Sequence, residues 1–275
     1  MVRKALAGAL ASAGLLFSPV SPLSLLSSVP AAASDADGRT AAELAEQAED
    51  HLLGAESVRL TMTDRIAEAE GTVTEPSAMD LALDRDGNCV GTIETGGEGG
   101  GRVEIVKRGE EVWLKPDAAF WKAHVPGDEG DAVAGLLEDR YLHGTTDDPA
   151  LEGMAGVCDL GRFQREIDTG ASSGDVSLTK GEETTRQDTA VVPLTGEEDG
   201  GTGEEDGGTG EEDGERTTLY VTADAPHRLI EADRRGEGTD VTLTFEDYGA
   251  PVPAGTPSPA ETVDIGRLEE ELLDA

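Results

Sequence analysis

The chain has 275 residues, and 58 Asp and Glu against 21 Lys and Arg give a formal charge of −37. A surface this acidic repels nucleic-acid phosphates and anionic lipid headgroups, which excludes both as electrostatic partners. Only 3% of the residues are aromatic, so the core must be aliphatic.

Residues 1–33 read as a removable export signal. Arg3 and Lys4 precede an uncharged, mostly apolar stretch from Ala5 to Phe17, and Ala31-Ala32-Ala33 forms a small-x-small cleavage site ahead of Ser34. The apolar stretch is too short to cross a bilayer, no later segment approaches the length needed, and the signal carries no cysteine for lipidation. The expectation is therefore a secreted or cell-envelope protein with no transmembrane segment after cleavage. Scarce lysine beside abundant arginine, alanine and glycine suggests a bacterial source of high GC content.

Thr40-Ala41-Ala42-Glu43 is a capping box, in which each side chain serves an orphan amide at a helix start. Ala41, Leu44, Ala45, Ala48 and Leu52 follow at helical spacing, and Gly54 is a natural stop. The period then changes to two. Val58, Leu60 and Met62 alternate with polar neighbours, and Met79, Leu81 and Leu83 do the same. Asp86-Gly87 signals a tight turn before a strand from Cys89 to Ile93. Val103 and Ile105 continue the alternation, and Lys107 to Glu110 turns the chain into Val112 to Lys115. Five such strands joined by hairpins predict an antiparallel meander with one face to be covered.

The middle of the chain reads as helical. Asp128 to Leu142 sets Val133, Leu136, Leu137 and Tyr141 along one side. Asp148-Pro149 is an N-cap followed by proline, and Leu151, Met154, Ala155 and Cys158 fall at i, i+3, i+4 and i+7. Strands return at Val176 to Thr179, Ala190 to Leu194, Leu219 to Thr222, His227 to Ala232 and Asp240 to Glu246. Among them, from about 195 to 215, an acidic Thr-Gly-Glu-Glu-Asp-Gly-Gly heptad repeats, and its glycines and like charges predict a disordered insertion. A proline-marked tail and a short terminal helix from Asp264 to Leu273 complete the chain.

Cys89 and Cys158 are the two cysteines. Outside the cytoplasm they most simply form one disulfide, because neither has His or carboxylate companions at metal-ligand spacing. The four histidines, His51, His124, His143 and His227, show no zinc-protease spacing, and no nucleophile elbow or phosphate loop occurs. Asp84 to Asn88 opens like a calcium loop but has Cys89 at the sixth position, where glycine is required. The reading is accordingly no enzyme, no catalytic or metal residue and no cofactor.

The capped helix running into Ser57-Val58-Arg59-Leu60-Thr61, the segment Val103 to Leu114 with Phe120-Trp121 after it, and Leu219-Tyr220-Val221-Thr222, His227-Arg228-Leu229 and Leu243 to Gly249 together resemble the LppX/LprG-type envelope lipoproteins. These share a half-barrel architecture with the LolA/LolB carriers. The resemblance runs from about Thr40 to Val263 and implies an α+β fold, a curved antiparallel sheet covered on its concave face by a few helices. It implies one domain over 34–263, with 264–275 as a tail. It also implies an apolar cavity for acyl chains, here walled by Val58, Leu60, Met62, Met79, Leu81, Leu83, Val103, Ile105, Trp113, Phe120 and Trp121. Two functions follow as expectations. One is a carrier of an acylated lipid or similar apolar molecule, and the other is an envelope sensor or scaffold acting through a protein partner.

Overall fold

The structure is a computed structural model and describes residues 38–71, 75–96, 100–125, 127–171, 177–198 and 215–267. The elements begin with α1 (Ala41–Leu53), β1 (Ser57–Asp64), α2 (Arg65–Glu70), β2 (Pro76–Asp84), β3 (Cys89–Thr95), β4 (Arg102–Arg108) and β5 (Glu111–Pro116). Next come α3 (Ala118–His124), α4 (Asp128–Leu136), β6 (Tyr141–Thr145), α5 (Glu152–Gly156) and α6 (Leu160–Ala171). The remainder is β7 (Leu178–Lys180), β8 (Thr184–Arg186), β9 (Thr189–Glu198), β10 (Glu215–Thr222), β11 (Leu229–Gly236), β12 (Thr239–Glu246) and β13 (Thr262–Asp264). The class is α+β, with every strand pair antiparallel except β13 on β6.

The chain divides into two compact units. The first holds Glu56–Gly161 and the C-terminal segment from Glu246. Its strands β1 to β5 form the expected meander, each paired with the next, and β6 and β13 extend it. Register gives this sheet two chemically distinct faces. Leu60 lies opposite Leu81, Leu81 opposite Gly91, Gly91 opposite Ile105, Ile105 opposite Leu114, and Leu114 opposite Leu142. Facing residues share a side of the sheet, so these six form one transverse row. Flanking rows run Val58, Leu83, Cys89 and Met62, Met79, Ile93, Val103. The opposite face carries ion pairs between Arg59 and Asp80, Arg102 and Glu94, and Lys115 and Glu104, at 2.5, 2.8 and 3.1 Å.

Cys89 and Cys158 are bonded, with Cα atoms 5.5 Å apart. The link ties the apolar face of β3 to the chain just beyond α5. Closing a loop of 69 residues contributes about 4 kcal/mol in the chain-entropy account.

The second unit holds residues 38–55 and Arg162–Phe245. Strands β12, β11, β10 and β9 pair in that order, and β7 and β8 both pair with β9. The capping box on α1 forms as read: Thr40 Oγ1 accepts from the Glu43 amide, and the Glu43 carboxylate accepts from the Thr40 amide. The same apolar set read from the sequence is buried, and α1 packs on β7, β10 and β11. Where α1 ends, its orphan carbonyls need donors. Buried Gln164 supplies one amide group to both, donating to the carbonyls of Leu52 and Ala55 at 2.9 Å each.

Several elements differ from the expectation. The helix expected over Asp128 to Leu142 stops at Leu136, and Tyr141 to Thr145 is strand. Asp139 takes a left-handed φ of 57°, which breaks the helix, and β6 then completes the hydrogen bonds of β5. Helix α6 arises where no element was expected, and α2 interrupts the first hairpin, capped by Asp64 on the amides of Ile66 and Ala67. Of the terminal helix expected from Asp264 to Leu273, Asp264 lies in β13, 265–267 are helical, and 268–275 lie outside the described residues. The expected export signal lies outside them too, as do 199–214 of the acidic insertion, while Thr195 to Glu198 and Glu215 belong to β9 and β10. No helix among the described residues is long and apolar enough to cross a membrane.

Glu49 on α1 gives a pH prediction. Burial, then the carboxylates of Asp168, Asp50 and Glu46, push its carboxyl up to about 7 from 4.5. A group with a raised folded pKa lends stability that is complete below 4.5 and lost as pH rises to about 7. Glu49→Gln should therefore melt higher than the wild type above pH 7 and lose that advantage below pH 4.5. Thermal melts of both proteins at the two pH values test this. A variant that gains nothing at the higher pH contradicts it.

Candidate ligand-binding face

Most of the residues expected to wall a cavity share one face of the first unit. Val58, Leu60, Met79, Leu81, Leu83, Val103 and Ile105 are buried in the three rows, and Met62 is partly exposed at the end of its row. Trp113 is not brought together with them. It pairs with Val106 and His143, so it projects from the other face of β5, where its ring stacks on His143 with centroids 4.8 Å apart. Val112 and Leu114, its neighbours, take the inner positions.

Phe120 and Trp121 reach burial from α3. Asp117 caps this helix by accepting from the Phe120 amide at 2.8 Å. Gly101, just before β4, lets the helix come close. A Cβ there would lie 2.2 Å from the Cα and amide nitrogen of Phe120, inside any allowed contact. Gly101 is itself held by Thr95, which accepts from its amide through Oγ1 and donates its own amide to the Gly101 carbonyl. Phe120 meets Trp121 edge-on at 5.7 Å and stacks on His124 at 3.9 Å. The three rings form one cluster on the covering helix.

The ends of the face are polar. Lys107 falls in the same row as Cys89 and Val112 and donates to the Gly87 carbonyl at 2.9 Å. Its burial pulls the ammonium pKa down, partly offset by Asp159 and Asp84. On the opposite face of the sheet, a cleft of about 480 Å³ lies between β4, β5, α3 and α4. Charged side chains dominate its wall, including Arg102, Glu104, Lys115, Lys122 and Asp131. Burial works to raise the Glu104 carboxyl, but hydrogen bonds from Tyr141 and Lys115 hold it below the usual range. The Tyr141 hydroxyl is pushed up to about 12 by burial and by Glu104.

Histidine chemistry is occupied elsewhere. His227 is buried with both ring nitrogens engaged: Nδ1 donates to the Thr222 carbonyl, and Nε2 accepts from Arg39. Among the described residues no group of three or more His, Cys, Asp or Glu is placed to hold a metal ion.

No protein-family model matches the chain, and no curated protein matches it. Among solved structures it is similar to LprF from Mycobacterium bovis, at 14% identity and a TM-score of 0.49, over 82% of this chain and 100% of that one. It is also similar to the lipoprotein LppX from Mycobacterium tuberculosis, at 15% identity and a TM-score of 0.45, over 78% and 97%. A LolA superfamily protein from Nitrosomonas europaea is more distant, at 10% identity and a TM-score of 0.21, over 78% and 96%.

Gly101 supplies the test of this geometry. Gly101→Ala drives a methyl group into the backbone of α3, and its cost should be about 3 kcal/mol, at the upper end of overpacking. Urea denaturation measures it. A midpoint unchanged from the wild type would contradict the close approach.

Proposed function

We propose that the protein is a non-catalytic, extracytoplasmic binding protein that holds an acylated lipid or a similar apolar molecule against the inner face of the first unit. The observation that carries this reading is the transverse row from Leu60 to Leu142. It is apolar on six consecutive strands. Gly91 stands at its centre because the backbone of β2 fills the space a side chain would need, a Cβ there lying 1.9 Å from the Asp80 carbonyl oxygen. A contiguous face of large aliphatic side chains favours an apolar guest over a charged one.

The disulfide supports an oxidising compartment. A partner-binding role would call for a contiguous exposed apolar patch. Leu136, at 57% exposure, is the one exposed large hydrophobic among the described residues, which offers a partner little.

Enlarging the wall separates a carrier from a filled core. Leu81→Trp and Leu83→Phe should each reduce capture of a fluorescent fatty-acyl probe while leaving the unfolding midpoint near that of the wild type. In a filled core they would instead cost about 1–3 kcal/mol through overpacking. Destabilised variants, together with a wild type that takes up no probe, would refute the carrier.

A further inference from the structure

Beyond β12 the chain runs along the outer, ion-paired face of the first unit and is fastened there at three places. Gly249 donates its amide to the Ser57 carbonyl at 2.9 Å, and Ser57 Oγ donates to the Ala250 carbonyl at 2.6 Å. Arg108, at the end of β4, donates to the carbonyls of Pro253 and Gly255. Finally β13 pairs with β6, where Asp264 Oδ2 lies 3.9 Å from His143 Nδ1. Ser57 adjoins inward Val58, and Arg108 stands two residues beyond Val106, so both project outward.

This part of the outer face carries apolar side chains. Val90 lies opposite Val106, Val106 opposite Trp113, and Trp113 opposite His143, on which its ring stacks. Val106 and Trp113 are 9% and 7% exposed, whereas Arg102 and Glu94 on the same face are 52% and 45% exposed. The fastenings at Arg108 and His143 are the immediate neighbours of the two buried residues, which puts the crossing segment over them.

The segment itself buries little. From Gly249 to Glu261, Val252 and Pro257 are partly buried and every other residue is exposed. Its four prolines have no amide to donate, so it forms no ladder until β13. It carries no lysine or arginine, and Arg108 is the cation that grips its middle. Arg108 Nε is buried without a partner among the described residues, so the grip leaves one donor unmet. A segment held in this way opens at lower free energy than the sheet beneath it.

We propose that residues 249–264 are a releasable strap, locked by Arg108, whose opening uncovers Val106 and Trp113 while the meander stays folded. The unit then has two outer surfaces. The closed one is polar, and the open one bears an apolar strip from Val90 to Trp113 beside a freed guanidinium. This inference does not depend on the carrier reading.

Val106→Cys and Val103→Cys test it. They make the same change on opposite faces of β4, and each adds one free thiol to a chain whose two cysteines are already bonded. Labelling by a thiol reagent is followed on the full chain in native buffer, and rates are corrected for global stability measured by urea denaturation. The thiol at 106 should label about a hundredfold faster than the thiol at 103, which waits for the sheet to unfold. Adding Arg108→Gln should speed labelling at 106 by about tenfold, the worth of a hydrogen-bonded charge, and leave 103 unchanged. Equal rates at the two positions overturn the strap, because the outer strip then opens only with the sheet. Labelling at 106 as fast as in an unfolded peptide overturns it too, because the strap then never closes. A rate at 106 that ignores Arg108→Gln overturns the assignment of the lock.

Discussion

The first unit depends on register. An antiparallel meander with a two-residue period must send alternate side chains to opposite faces, and in-register pairing aligns them into rows. Leu60, Leu81, Ile105, Leu114 and Leu142 therefore leave water together or not at all. Burying one such side chain contributes roughly 1.5–3 kcal/mol, whereas an exposed ion pair contributes about 0–1. The apolar face thus decides the fold. The pairs formed by Arg59 and Asp80, or Arg102 and Glu94, lie on the solvent side and chiefly keep like charges from meeting across the strands.

Composition shapes the second unit differently. Cations are outnumbered, and at the end of α1 the neutral Gln164 answers the carbonyls of Leu52 and Ala55. The same imbalance leaves Glu49 among Asp168, Asp50 and Glu46. Helix α1 retains its place because its apolar residues on β7, β10 and β11 outweigh the crowding of carboxylates on its flank.

Local signals were legible where one period dominated. The capping box of α1 and the alternation in β1, β2 and β4 needed no tertiary knowledge, and the α+β class followed from them. Trp113 was misplaced because Val112, Trp113 and Leu114 are apolar in succession, so alternation alone does not tell which points inward. Pairing of Leu114 with Ile105 settles it. Strand β6 hid behind a helical spacing that ran on through Tyr141, and a left-handed Asp139 is not visible in composition. Helix α6 carried its signal at Leu160, Ile167 and the polar Gln164, whose burial reflects a bond to distant carbonyls. The buried face was therefore readable one strand at a time, whereas the close backbone approach at Gly91 became meaningful only once its partners were known.

Helices α3 and α4 are attached to the first unit in different ways. Helix α4 buries Val133 as its one large apolar side chain and begins at Gly127 with no side-chain cap, but it packs closely on α3, where a Cβ on Gly130 would lie 2.6 Å from the Val125 carbonyl oxygen. Helix α3 is anchored more firmly, by the Asp117 cap, the Gly101 approach and the buried rings. Segments with little buried apolar area open at lower free energy than the sheet beneath them. The disulfide fastens the chain beyond α5 and leaves α3 and α4 outside its direct hold. The strands beneath therefore carry most of the stability of the unit.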